Sequence, residues 1–171
     1  MNNSKIHIGL INPKSPSNVG AVMRAAGCFG ADTVLYTGDR YDRAMKFQTD
    51  TKNATQTIPL TGVEDLLQFA DDEMQIICVE LTEGATPLPT YQHPDKALYI
   101  FGPEDSSISQ QIIDKAHAVV YVPTIGCMNL AASVNVVLYD RLAKSEDNQQ
   151  DNELVRKSRD RNNKTKVKSP F

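Results

Sequence analysis

The chain has 171 residues, of which 40% are hydrophobic and 23% charged, and its formal net charge is -3. That length fits one domain that can bury roughly two-thirds of the surface of its unfolded chain, so folding requires neither a disulfide scaffold nor a structural metal. The N-terminus has no signal-peptide pattern, and no later segment approaches the ~18 uninterrupted apolar residues of a membrane span, so we expect neither secretion nor a transmembrane helix.

Apolar runs alternate with helical patterns through the first part of the chain. Residues 6–11 are predicted to form a buried strand that a proline-rich loop ends, and the helix that follows has apolar side chains at helical spacing as far as Gly30. Residues 33–36 are predicted to form the second strand. The polar segment 38–52 predicts a surface loop with one helical turn.

The same alternation continues to residue 144. Thr61 and Glu64 have the spacing of a capping box in front of apolar residues at helical spacing, which predicts a helix there. Ser107 begins a second pattern of this kind, and 129–144 is predicted to be the last helix. The turn-rich segment 82–94 is predicted to lie at the surface. Three further buried strands are predicted at 75–81, 97–101 and 118–122.

The predicted strands are too apolar to have a solvent-exposed face, and they alternate with helices. This pattern is typical of an α/β fold with a mostly parallel sheet and helices on both faces. The last helix has apolar side chains around more of its circumference than one core-facing stripe needs. These side chains are Leu130, Val134, Val136, Val137 and Leu138. Either a partner chain or other parts of the same chain would cover the second face.

The charge is divided unevenly along the chain. Residues 154–171 contain seven basic side chains and one acid, Asp160, so this segment has a net charge of +6 and the preceding 153 residues have -9. The basic residues are Arg156, Lys157, Arg159, Arg161, Lys164, Lys166 and Lys168. Two interpretations stay open, an arm for a polyanion and a disordered, solubilising end. We therefore divide the chain into a domain, 1–153, and a basic tail, 154–171, predicted to lack stable structure.

The three cysteines predict reduced thiols. Cys28, Cys78 and Cys127 are an odd number, lie far apart, and form no C-x-x-C pair with histidines at zinc-ligand spacing. We expect a cytoplasmic protein without a bound metal.

Three junctions between a strand and a helix have polar side chains, and parallel sheets place their binding crevices at such junctions. Asn18 and Arg24 follow the first strand, Glu104 follows the fourth, and Asn129 follows the last. Each residue alone has a structural explanation, as a helix cap, a solvated arginine or a first-turn acid. Their joint occurrence predicts one shared site.

Together these segments resemble the SpoU/TrmH family of S-adenosylmethionine-dependent RNA 2'-O-ribose methyltransferases, in the SPOUT superfamily. The first family motif, N-x-G-x-x-x-R, is matched by Asn18, Gly20 and Arg24. The second, an apolar strand ending in G-x-E, is matched by Gly102 and Glu104. The third is matched in order by Val122-Pro123, Met128-Asn129-Leu130 and Leu138-Tyr139-Asp140.

The resemblance extends over about residues 6–143. It implies a SPOUT-type fold with a C-terminal trefoil knot, a homodimer, and S-adenosyl-L-methionine bent inside the knot. The residues implied to bind this cofactor are Glu80, Leu81, Gly102, Val122, Cys127 and Met128. Cys127 stands where the family has a serine, and a thiol is a poorer hydrogen-bond donor than a hydroxyl.

The implied reaction moves a methyl group to a ribose 2'-hydroxyl, and the family gives the motif-one arginine, here Arg24, a central catalytic role. Because a guanidinium hardly deprotonates, we expect Arg24 to orient the RNA phosphate and to stabilise negative charge. Asn18, Glu104 and Asn129 would orient Arg24 and the ribose. The residues expected to contact RNA are Arg24, Arg156, Lys157, Arg159 and Arg161.

The compact chain resembles family members that act on the tRNA anticodon loop more than those that act on rRNA. Three alternatives stay open: an rRNA methyltransferase, a non-catalytic protein that binds cofactor and RNA, and a nucleotide-binding dehydrogenase. The last is disfavoured, because residues 12–20 contain no G-x-G-x-x-G and are rich in proline where a pyrophosphate needs close backbone approach.

Overall fold

A computed structural model describes residues 3–47, 58–146 and 151–168. Seven strands within these ranges form one sheet: β1 (Lys5–Leu10), β2 (Thr33–Tyr36), β3 (Leu60–Gly62), β4 (Gln75–Val79), β5 (Thr86–Pro87), β6 (Lys96–Phe101) and β7 (Ala118–Tyr121). Every strand pair is parallel, and the order across the sheet is β3-β2-β1-β6-β4-β7-β5. The predicted parallel sheet is confirmed.

The described residues contain five α-helices: α1 (Pro16–Phe29), α2 (Arg40–Met45), α3 (Gln110–Lys115), α4 (Leu130–Lys144) and α5 (Asn152–Ser158). Two short 3-10 helices lie at Leu66–Phe69 and Leu88–Thr90. None of the helices in this part of the chain is long and apolar enough to cross a membrane.

Apolar layers cover both faces of the sheet. Along β6, Tyr99 and Phe101 enter the layer formed with α1 and α4, whereas Leu98 and Ile100 enter the layer formed with α3 and the first 3-10 helix. A strand buried on both faces has to be apolar at every position, which explains why 97–101 is a continuous apolar run. Helices on both faces are therefore confirmed.

Local caps set the ends of α1. Ser15 Oγ accepts a hydrogen bond from the backbone amide of Asn18 at 3.3 Å, and Pro16 fits the first turn. Gly30 ends the helix with a φ of 70°, a conformation that glycine adopts at low cost. Because Ser15 is the cap, the side chain of Asn18 is free for contacts outside the helix.

The helix predicted after the Thr61 capping pattern is wrong. Thr61 lies in β3 and pairs in register with Leu35 of β2, and only a 3-10 turn follows. Asp65, not Thr61, caps that turn, since its carboxylate accepts from the amide of Leu67 at 2.9 Å. Parallel pairing of a β-branched residue outweighs the local capping pattern.

Two segments predicted as surface loops contain regular structure. In the segment 82–94, β5 pairs with β7 and Leu88 is buried, so this segment does not lie wholly at the surface. Residues 40–45 form α2, which agrees with the single helical turn predicted within 38–52; residues 48–52 lie outside the described ranges.

The basic tail contains a helix that its composition did not predict. The Asp151 carboxylate caps α5 by accepting from the amides of Glu153 and Leu154, both at 3.0 Å. Lys157 pairs with Glu153 at 2.7 Å, one turn apart. Every residue of α5 is exposed, so this helix presents Arg156 and Lys157 to solvent.

Candidate active site

The carboxyl ends of four central strands lie side by side. Leu10 at the end of β1 pairs with Phe101 at the end of β6, and Phe101 pairs in turn with Val79 at the end of β4. Val79 also pairs with Val120 of β7. The segments that follow these strands therefore meet at one edge of the sheet, which is where parallel sheets bind ligands.

A cleft of about 160 Å³ opens at this edge. Its lining comes from the segments that follow β4, β6 and β7, and it includes every residue predicted to bind the cofactor: Glu80, Leu81, Gly102, Val122, Cys127 and Met128. Glu104 also lines the cleft. The structure thus brings this predicted set together, while its role in cofactor binding stays a prediction.

Three predicted catalytic residues form a continuous hydrogen-bonded chain beside the cleft. Asn18 Nδ2 donates to Glu104 Oε1 at 3.3 Å, and Asn18 Oδ1 accepts from Asn129 Nδ2 at 3.0 Å. The residues come from α1, from the segment after β6 and from the cap of α4. The Glu104–Asn18–Asn129 chain is therefore the point where all three sequence motifs meet.

Glu104 is held as a carboxylate. Besides Asn18, it accepts from the backbone amides of Lys14 (3.1 and 3.3 Å to its two oxygens) and Ser15 (3.3 Å). Burial by itself would raise the pKa of Glu104, but hydrogen bonds from its own amide, Asn18, Lys14 and Ser15 outweigh burial, so its pKa is lowered. A fixed negative charge therefore lies at the rim of the cleft.

Glu80 shapes the wall of the cleft. Its carboxylate accepts from the amide of Ile108 at 2.9 Å and from its neighbour Leu81 at 3.0 Å, which draws the segment after β6 over the end of β4. Gly102 permits this approach, because a Cβ there would lie 3.3 Å from the Ile108 side chain and 3.5 Å from Glu80. Glu80 therefore has two places in the structure: it lines the cleft, and it holds the segment after β6 through the Ile108 amide.

Arg24 is not brought to the cleft within one chain. It lies on the exposed face of α1, nearly two turns after Asn18, and it is not among the residues that line the cleft. Its predicted catalytic role therefore needs a surface from outside the chain. The tail residues Arg156, Lys157, Arg159 and Arg161 do not line the cleft either.

Asp140, the last residue of the third motif, belongs to a buried network instead of the cleft. His93 Nε2 lies 2.7 Å from Asp140 and His93 Nδ1 lies 2.7 Å from the Tyr99 hydroxyl. Burial lowers the pKa of His93 more than Asp140 raises it, which favours the neutral ring. Lys144 also contacts Asp140, at 2.7 Å. This network ties the segment before β6 to α4.

The backbone amides of Lys14 and Ser15, which bind Glu104, were missed by the sequence reasoning, and so was the tie between Glu80 and Ile108. Backbone donors leave no signature in side-chain identity. The one sequence signal for a fixed turn in the first loop is the presence of two prolines, Pro13 and Pro16, only three positions apart.

Two substitutions of Asn129 separate helix capping from the polar chain. Asn129 Oδ1 accepts from the amides of Ala131 (2.9 Å) and Ala132 (3.3 Å), while its Nδ2 donates to Asn18. We expect Asn129→Ala to lower the free energy of unfolding by about 1 kcal/mol because the cap is lost. Asn129→Asp keeps the cap but cannot donate to Asn18. This variant should therefore keep its thermal stability and lose the expected methyl-transfer activity. Equal activity of Asn129→Asp and wild type would contradict a role for the chain in the reaction.

Comparison with known protein families identifies the chain. The model of the SpoU rRNA Methylase family matches residues 5–139, which contain the first two motifs and the third as far as Tyr139. The chain belongs to the SpoU family. The predicted family is therefore confirmed, over residues 5–139.

Curated relatives of this SpoU protein include tRNA methyltransferases. It is 28% identical over 127 residues to mouse tRNA (guanosine(18)-2'-O)-methyltransferase TARBP1, covering 71% of this chain and 8% of that protein. It is 25% identical over 158 residues to tRNA (cytidine-2'-O-)-methyltransferase TrmJ of Methanocaldococcus jannaschii, covering 81% of this chain and 68% of that one. The chain thus spans a small part of one relative and about two-thirds of the other.

Solved structures share the SpoU fold. The TrmH/SpoU tRNA modifying enzyme of A. aeolicus superposes with a TM-score of 0.66 at 16% identity, over 86% of this chain and 78% of that one. AviRb of Streptomyces viridochromogenes, solved with AdoMet, gives a TM-score of 0.68 at 16% identity, over 84% and 59%. A structure on the 2-OH methylation of C/U34 on tRNA gives 0.67 at 17%, over 84% and 92%.

Cys127 is the departure of this SpoU protein from its family motif, and it lies exposed at the cleft. The loop before it is held by Thr124, whose hydroxyl donates to the Gly126 carbonyl at 2.9 Å, and Gly126 has a φ of 95°. The loop therefore forms without a serine hydroxyl at 127. In the part of the chain that the structure describes, no group of three or more His, Cys, Asp or Glu side chains could hold a metal ion.

Proposed function

We propose that this SpoU protein transfers a methyl group from S-adenosylmethionine to a ribose 2'-hydroxyl of RNA, with tRNA as the substrate. The observation that carries the proposal is the meeting of Asn18, Glu104 and Asn129 beside a cleft at the carboxyl edge of the sheet. Support for tRNA comes from the relatives named for 2'-O-methylation of guanosine and cytidine in tRNA. A solved neighbour that concerns C/U34 supports the anticodon loop as the target region.

The cleft suits S-adenosylmethionine, which supplies an electrophilic methyl group on a sulfonium. Its wall combines apolar side chains such as Leu81, Val122 and Met128 with backbone groups around Gly102. Small-molecule pockets combine apolar walls with polar groups that fix orientation, and polar groups form at least as much of this cleft as apolar ones. At about 160 Å³ the cleft is smaller than the roughly 300–1,000 Å³ typical of such pockets, so a further surface would complete it.

The polar chain would position the ribose hydroxyl. A hydroxyl is a weak nucleophile, so alignment for in-line attack supplies much of the acceleration. Glu104 fixes the amide of Asn18, and Asn18 in turn fixes Asn129, which leaves each amide in one orientation. Arg24 would stabilise the negative charge that develops as the hydroxyl proton leaves, and would orient the adjacent phosphate.

We further propose a homodimer, because Arg24 reaches no cleft in its own chain. Gly20 lies four residues before Arg24 on α1 and is exposed, and a Cβ there would meet no atom within 4 Å. A glycine inside a helix costs about 1 kcal/mol, and no contact among the described residues requires it. On α4, which packs beside α1, Val136 and Tyr139 are exposed. A second copy bound to the surface formed by Gly20, Val136 and Tyr139 would bring Arg24 to the partner's cleft.

The apolar width of the last helix supports the dimer less than expected. Of the five apolar residues predicted to spread around this helix, Leu130, Val134, Val137 and Leu138 are buried in the chain's own core, and Val136 is exposed. The support for the dimer therefore comes from the exposed surface of α1 around Gly20 and from Tyr139 of α4.

The trefoil knot that the family resemblance implies stays a prediction. The three free cysteines support the proposed cytoplasmic location.

Transfer of a labelled methyl group tests the function. The protein is incubated with methyl-labelled S-adenosylmethionine and either total tRNA or rRNA, and the modified ribose is then mapped. We expect label in tRNA at a 2'-oxygen of the anticodon loop. Label confined to rRNA would show that rRNA, and not tRNA, is the substrate. Binding of cofactor and RNA without any transfer would support the non-catalytic alternative.

The basic tail is proposed to bind RNA, because the body of the molecule has a net charge of -9 and repels phosphates on its own. Deletion of residues 154–171 should weaken tRNA binding and reduce the slope of log Kd against log salt, by about 0.7 for each phosphate that the tail neutralises. The control is Leu154→Ser with Val155→Ser, which alters the exposed apolar side chains of α5 and keeps the charge. An unchanged salt slope after deletion would assign the tail to solubility.

A further inference from the structure

One arginine outside the sequence motifs joins two loops that lie next to the polar chain. Arg40 is the first residue of α2. Its Nη1 and Nη2 donate to the two carboxylate oxygens of Asp105 at 2.8 and 3.0 Å. Its Nη2 and Nε also donate to the backbone carbonyl of Asn12, at 2.7 and 3.2 Å. A single planar group therefore connects the loop after β1 with the loop after β6.

Both of its partners lie next to the polar chain. Asp105 follows Glu104 directly, and Asn12 lies two residues before Lys14, whose backbone amide donates to Glu104. The ammonium of Lys14 also lies 3.9 Å from Asp105. A shift of either loop would therefore move Glu104 relative to Lys14, and would disturb the contact of Glu104 with Asn18.

The backbone at Asn12 needs support of this kind. Asn12 has a φ of 42°, the only positive φ of a non-glycine residue in the described part of the chain, and its Oδ1 is buried with no hydrogen-bond partner there. Its amide donates to Thr37 at 3.2 Å, and Gly38 leaves room for its side chain, since a Cβ on Gly38 would overlap it. Conformations of this kind persist where neighbouring groups fix them, and they concentrate at functional sites.

We propose that Arg40 is a positioning residue that holds the Glu104–Asn18–Asn129 chain in its reactive geometry. Lysine cannot replace it, because an ammonium is a point charge and cannot bind both carboxylate oxygens and a carbonyl in one plane. The kinetic part of this proposal rests on the proposed function, but its structural part does not.

Amide hydrogen exchange tests the structural part without any methyl transfer. In Arg40→Lys, the backbone amides of Lys14 and Ser15 should exchange at least ~10-fold faster, because their acceptor Glu104 is no longer fixed. The matched control is Arg43→Lys in the same helix, whose native side chain makes an exposed pair with Asp39 at 3.2 Å. Unchanged exchange at both amides in Arg40→Lys would overturn the proposal.

Steady-state kinetics test the catalytic consequence. We expect Arg40→Lys and Asp105→Asn each to lower kcat by about 10- to 100-fold, with KM for tRNA and Kd for S-adenosylmethionine within about twofold of wild type. The double variant should lose no more than either single variant, because both break one link. A lower thermal midpoint with unchanged kcat at a permissive temperature would reduce Arg40 to a structural role and reject the proposal. If the wild type transfers no methyl group, the proposed function fails, and amide exchange still decides the role of Arg40.

Discussion

Arg24→Ala should lower the rate of methyl transfer by about 10³-fold while leaving the affinity for S-adenosylmethionine nearly unchanged. The guanidinium would stabilise charge that is present only in the transition state, and loss of one such group costs about 10²- to 10³-fold in rate. The cleft residues are separate from Arg24 in the chain, so cofactor binding should survive. Transfer rates and isothermal titration with the cofactor measure the two quantities.

Mixed dimers separate this role from a structural one. If Arg24 completes the partner's cleft, mixing Arg24→Ala with a variant that has a damaged cleft, such as Gly102→Val, should restore activity in the mixed dimer, since one of its two sites is intact. Arg43→Ala serves as the control for an exposed arginine on a nearby helix. Retained turnover in Arg24→Ala, or no restoration by mixing with a dimer present, would contradict the assignment.

Glu104→Gln should lower kcat by about 10²-fold, through loss of position and not through loss of a proton acceptor. Glu104 accepts hydrogen bonds from Lys14, Ser15 and Asn18, and a neutral amide would turn its own N–H groups towards some of these donors. Misplacement by about 1 Å is enough for an effect of this size. Because glutamine has the size and shape of the glutamate that lines the cleft, we expect cofactor affinity within a few-fold of wild type.

The pH dependence of stability gives a second readout for Glu104. Its pKa is lowered from an ordinary value of 4.5 by hydrogen bonds that outweigh burial, so the folded state binds the proton less well than the unfolded state. Its stabilising contribution is therefore complete above about pH 4.5 and is lost as pH falls through the lowered pKa. The difference in unfolding free energy between wild type and Glu104→Gln should shrink over that range. Glu64→Gln, at an exposed site, should show no such trend.

Five of the seven strands, and the helices α1 and α4, were predictable because their signals are local and repeated. Continuous apolar runs predicted β1, β2, β4, β6 and β7 to within one or two residues. The capping role of Asn129 was likewise predictable from its position before an apolar helical pattern. A contact between Asn18 and Asn129, which lie 111 residues apart, followed from the rule that parallel strands end at one edge of a sheet.

The parts that could not be predicted depend on tertiary pairing. Thr61 has the same neighbours in sequence whether it caps a helix or joins β2, and only the position of β2 decides between them. Arg40 and Asp105 are 65 residues apart and have no spacing signal, because their geometry depends on where two separate loops end. The predicted role of Arg24 shows a third limit, since it would depend on a surface that a single chain does not supply.

The edges of the sheet restrict how copies of this protein can associate. β3 at one edge has three residues and β5 at the other has two, the second of them Pro87, which has no amide hydrogen to donate. Short edge strands and proline prevent another strand from adding to a sheet. Growth into fibrils by strand addition is thereby disfavoured at both edges, which leaves the helix faces as the surfaces through which copies can associate.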